Sequence, residues 1–254
     1  KNVDLADLVV SEDGNSITLS SNVIVKYVRR EIRMLTEEDR DEYLDTMEIL
    51  YRLRTEEGQK VYGYEYKGMD FFTEIHLEGA GQPECDHWHD DAGIMTHHVG
   101  YSLLFEQALQ VINPAVALHY WEYTLDEYLY DSLNESPVFL DDWFGEMSPN
   151  NDLKIVTKGR WAYTPVARNM WNKVHNPWGL LRSPWNMNPT PYFTRHDRTN
   201  GVVGFFTPSC QTYSDCFYRK TISGLFNCLN GATHGPVHIL VGGNWNHPDE
   251  VFMK

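Results

Sequence analysis

The chain has 254 residues, enough for one large domain or two small ones with a substantial core. Its 21 Lys and Arg against 36 Asp and Glu leave a net charge of −15, which argues against nucleic acid or an anionic membrane surface as partner. No apolar run reaches the roughly 18 residues that span a bilayer, so no membrane partner is expected.

Residues 1–29 carry short β-branched runs, Ser16-Ile-Thr-Leu and Val23-Ile-Val, which predict edge strands or an extended arm. The first helix is predicted from Thr36, where Thr36-Glu-Glu-Asp39 forms a capping box with Asp in place of the usual Glu. Tyr43, Met47, Ile49, Leu50 and Leu53 then recur at helical spacing. A second helix is predicted from Gly68 to about Leu77, carrying Phe71, Phe72, Ile75 and His76. The stretch 79–91, rich in Gly, Pro and Asp, reads as a loop.

A third helix is predicted from Thr96 to Val111, with Leu103, Leu104, Phe105 and Leu109 facing the core and Asn113-Pro114 ending it. Residues 133–202 hold many Pro, Asn, Trp and Gly without periodicity and predict a long irregular excursion, a kind of segment that often serves a site. The last helix is predicted near Ile222 to His238. No internal repeat or linker divides the chain, so 1–254 is taken as a single domain.

Four cysteines are too few for a disulfide framework at this length. A Cys210–Cys216 bridge closing a small loop is the expected pairing. With the sequon Asn134-Glu-Ser136 it leans towards a secreted, extracellular or lumenal protein.

The chemistry lies in the histidines. His234 and His238, four residues apart, share one helix face, where one metal ion can take both imidazoles. A second group contains His76, His87, His89, His97 and His98. His89 and His98 are nine residues apart and out of phase on one straight helix. They can share an ion if His89 sits on the loop and His98 on the first turn of the following helix, with His76 as third ligand. Neutral imidazoles suit copper, zinc, iron and nickel, and three per ion without a carboxylate suit copper that cycles between two oxidation states, while a catalytic zinc remains open. His119, His175 and His196 read as ordinary polar or core residues, and His97 as a solvent or supporting residue.

His89, His98 and Phe105-Glu106 resemble the first copper motif of the tyrosinase, catechol oxidase and molluscan haemocyanin family, in which a histidine, eight residues and a second histidine lead into a helix reaching Phe/Tyr-Glu. Ala115 to Glu122 resembles the family's Leu-Pro-Tyr-Trp-Asp strand, with His119 and Glu122 as departures. Val28-Arg-Arg-Glu-Ile-Arg resembles its Arg-rich entry to the first helix. His234-Gly-Pro-Val-His238-Ile-Leu-Val-Gly-Gly resembles its second copper motif.

The resemblance implies a mainly α fold, a four-helix bundle core with long irregular loops and a few short strands. It implies two copper ions with O2 as co-substrate, copper A on His76, His89 and His98 and copper B on His234 and His238. It implies oxidation of a small phenolic substrate, o-diphenols to o-quinones, with monophenols left open. In the family the third copper B histidine lies in a later segment that these residues lack. A second chain, or a missing C-terminal segment, is therefore expected to supply the sixth histidine.

Gly235 stands where many members have Asn, and Leu225 to Gly231 holds no carboxylate where tyrosinases often carry a water-holding Glu. Both departures weaken the case for monophenol hydroxylation more than for diphenol oxidation. Some members form a thioether from a Cys two residues before the second copper A histidine. Cys85 is two before His87 and four before His89, so either the crosslink is absent or His87 is the ligand in place of His89. Glu106 and Cys85 are expected to support the ligands from behind. A haemocyanin-like O2 carrier and a copper-poor structural relative are the alternative functions.

Overall fold

The computed structural model describes residues 2–12, 15–24, 26–80, 86–90, 92–165, 192–195 and 207–241. Cys85, Gly242, Gly243, His175 and His196, all weighed in the sequence, lie outside them. The described chain is mainly helical.

An antiparallel hairpin opens the chain, β1 (Asn2–Glu12) paired with β2 (Asn15–Ile24), its register shifting between Val3 and Ala6. The Arg-rich segment then enters the fold through ion pairs. Arg29 meets Glu106, Arg30 meets Asp39, and Arg33 meets both Glu31 and the fully buried Asp126. Tyr120 bridges to this segment in parallel, donating from its N–H to Arg30 O and accepting from Ile32 N–H. The resemblance to an Arg-rich entry and a later strand thus becomes one joint, in which the buried carboxylates of Glu31 and Asp126 offset the mostly buried guanidinium of Arg33.

Helix α1 (Glu37–Arg52) begins as the sequence predicts. The Thr36 hydroxyl accepts from Asp39 N–H, acids fill the first turn and Arg52 ends the last. Only half of the capping box forms, because Arg30 takes the Asp39 carboxylate. Tyr43, Leu44, Met47 and Leu50 are buried at spacings of one helix face. A short α2 (Thr55–Tyr62), unforeseen in the sequence, leads to Tyr66. That ring lies so close to Gly58 that a Cβ there would sit 2.0 Å from it.

Helix α3 (Met69–Ala80) buries Phe72, packed edge-on against Phe105 and Tyr101. Helix α4 (Gly93–Ile112) starts three residues before the predicted Thr96. Its first residue must be small, since a Cβ on Gly93 would lie 2.3 Å from His87 O in the turn folded over the helix start. Phe105, Ala108 and Leu109 form its buried face, and Leu103 falls off that face at 49% exposure, against expectation.

Helix α5 (Tyr123–Leu129) and two single 3₁₀ turns follow. The described part of the irregular stretch, 133–165, contributes Leu133, Val138, Phe139, Trp143, Val156 and Trp161 to the core. Ser136 of the sequon is buried and caps a turn, while Asn134 stays exposed.

Helix α6 (Cys210–Phe217) and helix α7 (Ile222–Cys228) are joined by a Cys216–Cys228 disulfide, and Cys210 is free. The expected Cys210–Cys216 pairing is therefore incorrect. Six residues of one helix separate those two by about 9 Å along its axis, beyond disulfide reach, whereas Cys216 and Cys228 have their Cα atoms 5.4 Å apart. A π-helical turn, Leu229–His234, runs from α7 into α8 (Gly235–Val241). Leu240 of α8 joins α1, α3 and α4 in one hydrophobic core, so four helical segments meet around it. No helix among the described residues is long and apolar enough to cross a membrane.

Candidate metal centre

Each histidine arrives from a differently held element. His76 lies on α3, two turns from its start, and its ring is walled by Trp88 at 5.0 Å between centroids. Gly79 makes this packing feasible, since a Cβ there would lie 1.5 Å from Trp88 Nε1. His89 belongs to the turn 86–90, which Asp86 closes. Asp86 Oδ1 accepts from the N–H groups of Trp88 and His89, and its Oδ2 accepts from His89 Nδ1 at 2.5 Å. An Asp that bonds its own backbone two and three residues on is a strong turn former. Here it also fixes the imidazole, leaving Nε2 as the free donor atom.

His89 lies on the loop as expected, while His98 lies in the second turn of α4 and not the first, because the helix starts three residues earlier than predicted. Both His98 ring nitrogens are buried without a hydrogen-bond partner. Such orphaned atoms cost free energy unless something binds them.

His234 closes the π turn. Pro236 cannot donate to a carbonyl four residues back, and the ladder widens just before it, Gly235 N–H reaching Asn230 O. Asn230 Oδ1 accepts from His234 Nδ1 at 3.2 Å, leaving Nε2 unprotonated and facing His238. Tyr123 of α5 donates to Thr233 O at 3.3 Å and touches the Tyr213 hydroxyl, tying the π turn to α5 and α6. His238 follows one turn later, its Nε2 2.9 Å from that of His234.

The five rings form one cluster. Centroids of His76, His89 and His98 lie 5.0 to 5.8 Å apart, and His234 lies 4.8 Å from His98 and 5.2 Å from His89. Two sets of three ring nitrogens, His76–His89–His98 and His89–His234–His238, each fall within 4.8 Å of one another. Burial foremost, then the neighbouring imidazoles, pushes His76 and His98 down to about 4 and His234 to about 3. All three are thus neutral near pH 7, the form in which imidazole offers a lone pair to a metal.

The remaining candidates lie elsewhere. His87 and His97 are exposed and in neither set; His97 rests on Trp88. Glu106 pairs with Arg29 and accepts from Leu118 N–H, both at 2.8 Å, bracing α4 to the entry segment. His119 accepts from Arg30 N–H and meets the edge of Tyr43. Asp86, Asn230 and Trp88 went unnoticed in the sequence. Asp three residues before His89 and Asn four before His234 were the readable signals, being the spacings at which a turn or helix brings side chains together.

The family model described as the common central domain of tyrosinase matches residues 66–252, which takes in every one of these histidines. The chain belongs to the tyrosinase family. Among curated relatives, grixazone synthase of Streptomyces griseus subsp. griseus is 35% identical over 83 residues, 33% of this chain and 24% of that protein. Tyrosinase-like protein 2 of Margaritifera margaritifera is 32% identical over 119 residues, 46% of this chain and 23% of that protein. A tyrosinase-like protein of Pinctada maxima is 31% identical over the same length. The matched segments thus span about a quarter of these relatives.

Membership of this type-3 copper oxidase family implies copper as the metal. The tyrosinase-like cluster fits it. The donor set is all imidazole, two members have their outer nitrogens engaged by Asp86 and Asn230, and the His98 nitrogens are buried with only the Ile94 backbone as a neighbouring partner.

Proposed function

We propose that this tyrosinase-family chain is a copper oxidase that converts o-diphenols to o-quinones with O2. The observation that carries the reading is the convergence of five imidazoles into two overlapping three-nitrogen sets, with both nitrogens of His98 unpartnered. Copper bound there would supply the electron transfer between diphenol and O2. His76, His89 and His98 would hold one ion and His234 and His238 the other, whose third ligand would come from outside the described residues.

The chain's own part is to position and to shield. Asp86 and Asn230 hold His89 and His234 in the tautomer with Nε2 unprotonated, although the His234 Nε2 contact with His238 has to open for both to bind metal. Trp88 and Tyr101 wall His76 and keep water from that side. No carboxylate among the described residues touches His234, and Gly235 adds no side chain beside it, which favours diphenols over monophenols as substrates. The Cys216–Cys228 bridge supports an oxidising, extracellular or lumenal location.

Copper content per chain, measured with 4-methylcatechol and 4-methylphenol turnover, tests the reading. Two copper ions per chain and catechol oxidation exceeding phenol oxidation are expected. Copper without turnover would indicate a carrier, and a preparation that neither binds copper nor turns over would refute the proposal.

A further inference from the structure

Away from the histidines, two adjoining cavities of about 200 and 320 Å³ lie between α1, α8 and the irregular stretch, sharing Phe144, Arg195 and Val241. None of the five clustered histidines lines either. The larger is walled by the rings of Tyr51, Phe144, Trp161 and Phe193, with Thr164 and Thr194 as neutral polar groups. Tyr51 meets Trp161 edge-on at 5.1 Å and Phe144 stacks on Trp161 at 6.0 Å, so the walls are set by ring packing.

Among the described residues Arg195 is the one ionic group lining both. Its Nη1 donates to Gly145 O at 2.8 Å, its backbone N–H donates to Lys154 O, and its guanidinium lies 6.0 Å from the Phe139 ring centroid. That accounts for one of its five side-chain N–H groups. Among the described residues no carboxylate pairs with it, in contrast to Arg29, Arg33 and Arg160, each of which has one. Burial lowers its pKa to about 10, which still leaves it cationic at neutral pH. A half-buried guanidinium with unused N–H groups facing a cavity is a fitting partner for a planar anion, which it can meet through paired hydrogen bonds.

We propose that Arg195 and the rings around it form a binding site for a small aromatic monocarboxylate, separate from the histidine cluster. The carboxylate pairs with the guanidinium, and the ring lies among Tyr51, Phe144, Trp161 and Phe193. One cation matches a monoanion rather than a phosphate dianion, whose desolvation a single guanidinium does not offset. Among the described residues no Asp or Glu lines either cavity, so they offer an ammonium group no partner, which favours a simple acid over an α-amino acid. The larger volume is of the order needed for one ring and its acid arm.

Calorimetric titration of the native protein with phenylacetate tests this, with phenylacetamide as the neutral match. Saturable binding is expected for the acid, with the amide and the Arg195→Gln protein each weaker by on the order of tenfold or more. Thr194→Phe, which fills the cavity and keeps the guanidinium, is expected to abolish binding and reads the site even if Arg195→Gln fails to fold. Absence of saturable binding to the native protein overturns the proposal. So does equal affinity for acid and amide, or acid binding that survives both substitutions, which would place the ligand at the metal or on the surface.

Discussion

Asp86→Asn separates the support of His89 from the fold of its turn. The Oδ1 atom that accepts from Trp88 and His89 N–H survives in asparagine, so the backbone bonds of 86–90 persist. The Oδ2 atom becomes an NH2 group facing the His89 Nδ1–H, donor against donor, where the native contact is 2.5 Å. The imidazole relieves this by moving its proton to Nε2, the atom needed for metal, or by rotating away. Loss of such a supporting carboxylate costs on the order of 10–100-fold in metal affinity, which is about 1.4–2.8 kcal/mol. Because His89 offers a single free nitrogen and is given to the ion shared with His76 and His98, that ion is expected to weaken and the one on His234 and His238 to change less. Copper titration against a chelating competitor reads the two affinities, and circular dichroism confirms the helices. Affinity equal to that of the native protein, or no lower than in an exposed control such as Glu135→Gln, would refute the role given to Asp86.

Phe72→Ala should destabilise the fold by about 3–5 kcal/mol in urea unfolding, because Phe72 is fully buried between α3 and α4; a loss under 1 kcal/mol would contradict that packing. Glu106 offers a pH test. Burial is its largest single influence and raises its pKa, but Arg29 and Leu118 N–H together outweigh it and the folded value lies below the ordinary one. Its stabilising contribution is therefore full above the unfolded carboxylate value of about 4.3 and is lost as pH falls through the lowered folded value. Glu106→Gln should flatten the acid limb of a plot of urea midpoint against pH, and parallel curves would count against the Arg29 pair. Cys228→Ser, opening a loop of 12 residues' separation, should lower stability by about 3 kcal/mol. Cys210→Ser should leave it unchanged, and a reversed order would restore the pairing first expected.

The sequence by itself determined the helices with local signals: the Thr36 cap, the periodic faces of α1 and α3, and the spacing of His234 and His238. It marked the five histidines that the fold gathers, because metal-ligand spacing along a loop, a helix start and a helix turn is a local property. It could not tell which cysteines meet, since Cys216 and Cys228 are brought within reach by the packing of α6 on α7. Short α2, α5 and α6 lacked enough periodicity to read, and Leu103 looked like core until the burial of Phe105 and Leu109 set the face of α4. Asp86, Asn230 and the shielding ring of Trp88 also emerged only in three dimensions, where Gly79 opens the space that Trp88 fills. The ligand types were written in the chain; their convergence, and the solitary Arg195 between two cavities, were decided by which surfaces the core could bury together.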